Sequence, residues 1–442
     1  MPAVAGTKSV KLRAYATEFS CLAVHGNDLL CTLCACKLSF DQRSQVLQHM
    51  KTAKHQKNVQ LKAKKQTQMV VNKKSRAELW CEALIKSGIP FNVLDNQPFR
   101  DFIESEVRYV LPSESSVRKQ YLSIVTEKHK AEMIKQLNGK DLYLIFDEMS
   151  FKNRAILAIM IGDCSSPKAP YLVQLTELEK TNSETVAKSI SSALFRLFEN
   201  VTLRVLISDG APYCMKAGRA LKGLFDGLIH IRCHAHASHL AFEQVRAKND
   251  GIDKAIASLK QVLAKSSCRR QTFPVALPPW PVITRWGTWV SCAIYMGKHF
   301  GAISCWVRGL EDDGVLVENV KRAFTDPNLQ ENLASLLPLE AALAAQTTLL
   351  ENCSLLEAIQ NAENFCNSLG NFPYAQRKFM DVRDGPNGLQ HVADKTCELM
   401  FCPITSVEVE RLFSKLKRYF TEKPNILIEN LEIYLFLNTF PV

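Results

Sequence analysis

Between residues 141 and 245 the sequence changes its period, and this constrains the fold more than any other stretch. "LYLIFDEM", "RAILAIMIGD" and "APYLVQLTEL" are short runs rich in β-branched and aromatic residues, bounded by Gly, Pro and Ser, and they read as strands. "SETVAKSISSALFRLFEN" follows, with Val186, Ile190, Ala193, Leu194 and Leu197 at helical spacing. Then come a strand, "LRVLISDG", a helix through "YCMKAGRALKGLF", and a last strand, "GLIHIRC". The order β-β-β-α-β-α-β predicts a mixed sheet flanked by helices, a meander of three strands with the fourth placed beside the first.

That topology brings two carboxylates together. Asp147 is expected to end the first strand and Asp209 the fourth, so the two converge. Phosphodiester hydrolysis and strand transfer use such an arrangement to hold two divalent cations, about four ångström apart. Hard oxygen ligands suit magnesium or manganese. Read singly, each aspartate is equally an ordinary turn residue, and Asp209 before Gly210 is equally a helix cap.

"CTLCACKLSFDQRSQVLQHMKTAKH" places Cys31 and Cys34 two residues apart, then His49, then His55. Two thiolates from a turn and two imidazoles from a helix complete a zinc tetrahedron, and Phe40 and Val46 stand where a small ββα finger needs its core. Cys36 is a spare thiol in the same loop. Basic residues follow without an intervening acid: Lys51, Lys54, Lys57, Lys62, Lys64, Lys65, Lys73, Lys74 and Arg76. This arm supplies most of the net charge of +11. A concentrated positive stretch suits a polyanion, because each neutralised phosphate releases a counterion. A solvated linker with a nuclear localisation role is the plainer alternative.

With 442 residues, 47% of them hydrophobic, the chain has material for about two to four units with sizeable cores. The fifteen cysteines are scattered and odd in number, which suits reduced thiols in the nucleus or cytosol. No apolar window is long enough to predict a membrane span. The expected organisation is a zinc finger at 18–60, a helical DNA-binding or dimerisation region at 61–135, the first part of an α/β core at 136–245, an all-α insertion at 246–400 and a helical segment at 401–442 that completes the core.

"IFDEMS", "VLISDGAPYCM", "RCHAHASHLAF", "TRWGTW" and "TSVEVERLFS" occur in this order. Together they resemble the hAT superfamily of DNA transposases. The finger, with its long loop and wide histidine spacing, resembles the BED type found in that family. "WCEALIKSGIPFNVLDNQPFRDFI" is similar to the part after the finger in the hAT-derived CGG-triplet-repeat-binding proteins. The resemblance implies an RNase H-like core with a DDE triad, interrupted by a helical insertion and closed by a C-terminal dimerisation region. It assigns the triad to Asp147, Asp209 and Glu410, the last from a Ser-x3-Glu-Arg-x-Phe-Ser element that excludes Glu408. It places Cys233 and His236 beside the centre, and gives Arg285 and Trp286 a supporting role, with Trp286 stacking on an extruded base. The stretch from Asp209 to Glu410 is short for the family, which implies a reduced insertion. The implied function is metal-dependent DNA cleavage and strand transfer in the nucleus, on double-stranded DNA carrying terminal inverted repeats, by a homodimer or larger homo-oligomer. A host-adopted, inactive DNA-binding regulator that dimerises through its C-terminus is the alternative.

Overall fold

The structure is a computed structural model that describes residues 8–19, 21–25, 28–34, 36–59, 75–282, 287–311, 314–422 and 426–441. The chain divides into two compact units, 1–80 and 81–442.

In the first unit, helix Lys8–Glu18 precedes three short strands, β1 (Leu22–His25), β2 (Asp28–Cys31) and β3 (Cys36–Leu38), and helix Arg43–Met50 follows them. The strands form an antiparallel sheet in the order β1-β2-β3, with Cys31 opposite Cys36. Period-two alternation turns Leu29 and Cys31 of β2 inward. They meet Phe40 and Val46, the two apolar residues expected of a finger, together with Leu38, Leu12 and Leu22. This unit is therefore larger than the ββα expectation. A bare finger has few apolar residues to bury, and the added strand and N-terminal helix supply two more.

The second unit is mixed α/β around a five-stranded sheet. Its strands are β4 (Asp141–Phe151), β5 (Arg154–Asp163), β6 (Tyr171–Leu178), β7 (Thr202–Ser208) and β8 (Ile229–Arg232), in the order β6-β5-β4-β7-β8. β4, β5 and β6 are antiparallel neighbours, whereas β7 runs parallel to β4 and β8 parallel to β7. The parallel strands are joined through helices Ser183–Leu197 and Pro212–Lys222. Leu142 to Asp147 are all buried, so the central strand is covered on both faces. Among the described residues, every element after β8 is helical.

Helix Val407–Glu422 lies against β4 and β5. Leu412, Phe413, Leu416 and Phe420 are buried there, and Phe420 stacks on Phe151 at 5.2 Å between ring centroids. Each such side chain stabilises the packing by roughly 1.5–3 kcal/mol. Helix Ile428–Thr439 lies against β6, where Glu432 accepts the Leu175 amide at 2.7 Å. That bond satisfies a donor on the edge strand. The C-terminal segment thus belongs to the core of this unit.

One expectation is corrected. Asp147 does not end its strand, because β4 continues to Phe151 and pairs with β5 as far as Phe151–Arg154. The hairpin partner extends β4 beyond the last rung with β7, which is Ile145–Ile207. Asp147 and Asp209 each stand two residues past that rung.

Candidate metal centres

The first centre draws on four short elements. Cys31 ends β2, Cys34 lies in the following turn, His49 is in the last turn of helix Arg43–Met50, and His55 is in the helical stretch 53–59. Their ligand atoms lie within 4.8 Å of one another. His55 Nδ1 is 3.5 Å from each of the Cys31 and Cys34 sulfurs and 3.2 Å from His49 Nε2. A tetrahedral zinc at normal bond lengths has sulfur–nitrogen edges of about 3.5 Å and a nitrogen–nitrogen edge of about 3.3 Å. The four side chains therefore fit zinc in spacing as well as in type. Asn58 Nδ2 reinforces the turn by donating to Leu33 O at 3.0 Å and to Cys34 Sγ at 3.5 Å. Burial lowers the His49 pKa, with help from His55 and Lys54, and so favours the neutral imidazole that a metal needs. Burial raises that of Cys31, and the Cys34 thiol adds to the rise. Cys36, half-buried on β3, is not among the four ligands.

The second centre joins distant parts of the sequence. Asp147 comes from β4, His236 from the first turn of helix His234–Ala247, and Glu410 from the first turn of helix Val407–Glu422. One ligand atom from each lies within 4.8 Å of the others. His236 Nε2 is 3.5 Å from Glu410 Oε1. A carboxylate in a first helical turn is favoured by the helix dipole.

Burial pushes the Asp147 carboxyl well above its usual range. His236 opposes that rise, and the charges of Glu410 and Asp209 add to it. His236 moves the other way from a typical buried imidazole. Burial alone would lower it, but Cys233, Asp147 and Glu410 raise it to about 10. Cys233 is held below the ordinary thiol range despite its burial, by the His236 charge and by hydrogen bonds from His236 and Ser406. The centre is a compact set of acids with an imidazole drawn toward its protonated form among them.

Asp209 follows β7 directly, and its Oδ1 accepts the Ala211 amide at 2.9 Å in a tight turn. Gly210 completes that turn at φ +87°, and an added Cβ there would come within 2.4 Å of Arg232 Nε. Asp209 is near enough for its charge to act on Asp147, yet it lies outside the group of three. Cys214 stands beside it and hydrogen-bonds to it, and burial together with the Asp209 charge raises that thiol.

Glu408 points elsewhere. It accepts from Asn352 Nδ2 at 2.9 Å, pairs with Arg411 and lines a cavity of about 220 Å³ beside Tyr143 and Ile145. Cys233, expected near the centre, caps helix His234–Ala247 and is fully buried. Ser406 carries no signal of its own in the sequence, although it opens the Ser-x3-Glu-Arg element; it contacts the Cys233 sulfur through both its amide and its hydroxyl.

Arg285 and Trp286 lie outside the described residues, as do Lys62, Lys64, Lys65, Lys73 and Lys74. A cavity of about 170 Å³ is lined by His239, Phe242, Arg246 and Trp289. Lys51, Lys54 and Lys57 are exposed on the first unit, and Arg76 is exposed at the start of helix Arg76–Lys86. No helix among the described residues is long and apolar enough to cross a membrane. Comparison with protein-family models and with curated proteins returns no match.

Proposed function

We propose that the chain is a hAT-type DNA transposase or a protein derived from one. It would bind double-stranded DNA through the finger and basic arm in the nucleus, and cut and join strands at the Asp147–His236–Glu410 centre. The observation that carries this reading is the meeting of those three side chains, drawn from β4, the turn after β8 and the C-terminal helix. The sheet order supports it, since an antiparallel meander followed by two parallel strands, with the first strand central, is the plan of an RNase H-like core. Asp147, Glu410 and Asp209 are the residues that would hold magnesium or manganese. When bound, two such ions supply Lewis acidity to the attacking and leaving oxygens.

The chain's own residues do the rest. His236, raised by Cys233, Asp147 and Glu410, favours its protonated form beside the acids, and a bound cation would displace protons from Asp147 and His236. Helix Val407–Glu422 aims Glu410 through Leu412, Phe413 and Leu416 packed beneath it. The fit to zinc at Cys31, Cys34, His49 and His55 gives the first unit a fixed shape from which Lys51, Lys54 and Lys57 meet phosphates.

A second reading, a catalytically inactive DNA-binding regulator that assembles as a homodimer, draws support from the position of Asp209 outside the close group. A nicking assay separates the two. Zinc-loaded protein is incubated with magnesium and a labelled duplex from the sequence flanking its gene. Strand cleavage by wild type, absent in Asp147→Asn and Glu410→Gln, supports the transposase reading. DNA binding by wild type without cleavage supports the regulator.

A further inference from the structure

Cys233 stands where three parts of the second centre cross. Its amide donates to Ser208 O at 2.7 Å, and Ser208 immediately precedes Asp209. Its sulfur accepts the Ser406 amide and the Ser406 hydroxyl, each at 3.1 Å. The next amide, of His234, donates to Ile404 O at 3.0 Å. Ser406 in turn accepts the Glu410 amide at 3.3 Å, one helical turn on. His236 lies in the helical turn that Cys233 caps. Cys233 is 1% exposed and Ser406 is fully buried, so no water replaces these bonds if one partner is removed. The contact spans 173 residues of sequence, and it joins the N-cap of the helix that carries His236 to the start of the helix that carries Glu410.

We propose that Cys233 and Ser406 form a positioning clamp that sets His236 and Glu410 against Asp147, so that removing the sulfur weakens divalent-cation binding although sulfur is not an ion ligand. The inference rests on the reading of Asp147 and Glu410, with His236 beside them, as a divalent-cation site. A carbon in place of the sulfur leaves two buried donors on Ser406 without an acceptor, and the start of helix Val407–Glu422 is then free to shift. A serine in place of Cys233 keeps an acceptor with two lone pairs. Groups that orient ligands in this way typically change metal affinity by about 10–100-fold when removed.

The test is manganese binding to the zinc-loaded full chain, followed by the spin-resonance signal of free Mn²⁺. Cys233→Ala is expected to raise Kd by about 10–100-fold. Ser406→Ala, which removes only one of the two donors, raises it less. Cys233→Ser recovers most of the wild-type affinity. The double alanine variant binds no more weakly than Cys233→Ala, because the two residues act as a unit. A purely structural role lowers thermal stability without this pattern in Kd. Wild-type affinity in Cys233→Ala, or a serine variant no better than alanine, overturns the clamp while leaving the metal site standing. Wild type that binds no manganese overturns the metal-site reading and the clamp with it. If Cys233→Ala does not fold, Ser406→Ala and Cys233→Ser decide: unchanged affinity in the first together with abolished affinity in the second overturns the clamp.

Discussion

His236 Nε2 lies 3.5 Å from Glu410 Oε1, although His236 follows β8 and Glu410 stands in the C-terminal helix Val407–Glu422. The contact favours a protonated imidazole among the carboxylates and makes the centre sensitive to pH in two opposed ways.

The His236 pKa is raised to about 10 in the fold, against an ordinary value of 6.5. A group whose folded pKa lies above its unfolded value stabilises the protein fully below the unfolded pKa and loses that effect as pH rises through the folded one. The metal-free protein should therefore lose stability between about pH 6.5 and 10, and His236→Gln should flatten that decline. Cation binding follows the opposite trend. Protons on His236 and on the raised Asp147 carboxyl must leave first, so manganese affinity should rise over the same interval. Calorimetric melting and manganese titration across pH check both signs, and an affinity that stays flat contradicts the proton release.

Glu408 and Glu410 are two residues apart and should behave differently. Glu410→Gln is expected to weaken manganese binding by at least about tenfold. Glu408→Gln disturbs bonds to Asn352 and Arg411 and should cost roughly 1 kcal/mol of stability with manganese affinity unchanged. Equal effects on binding would contradict the assignment.

One zinc per chain is expected by elemental analysis, falling to none in Cys34→Ser. Cys36→Ser should keep its zinc, since Cys36 lies outside the ligand group. Chelation should unfold the first unit, because a site of this kind contributes its binding energy to folding. A melting profile unaffected by chelator would count against this.

Lys51, Lys54 and Lys57 are exposed. Their replacement by glutamine should lower the slope of log affinity against log salt by about 0.9 per phosphate that they neutralise, equally on any duplex sequence. An unchanged slope would remove these residues from the proposed DNA interface.

Much of the second unit's layout was legible. The strand and helix order from Leu142 to Arg232 came from a change of period, and the burial of Val186, Ile190, Ala193 and Leu194 from helical spacing. Other features depend on tertiary partners that one sequence does not display. Asp147 looks terminal because a charge interrupts an apolar run, yet β5 keeps the strand paired to Phe151. β1 is only four residues long, too short for alternation to show. Asp209 is held in a turn set by Gly210 packing against Arg232, which no spacing rule reveals. The Cys233–Ser406 contact needs the fold itself to bring its partners together.

Whether Asp147 and Glu410 share a cation is decided by an anomalous difference map from crystals of the zinc-loaded protein grown with manganese. A manganese peak is expected within about 2–2.3 Å of carboxylate oxygens of both residues. A map with zinc among Cys31, Cys34, His49 and His55 but no peak at the carboxylates would contradict the second centre.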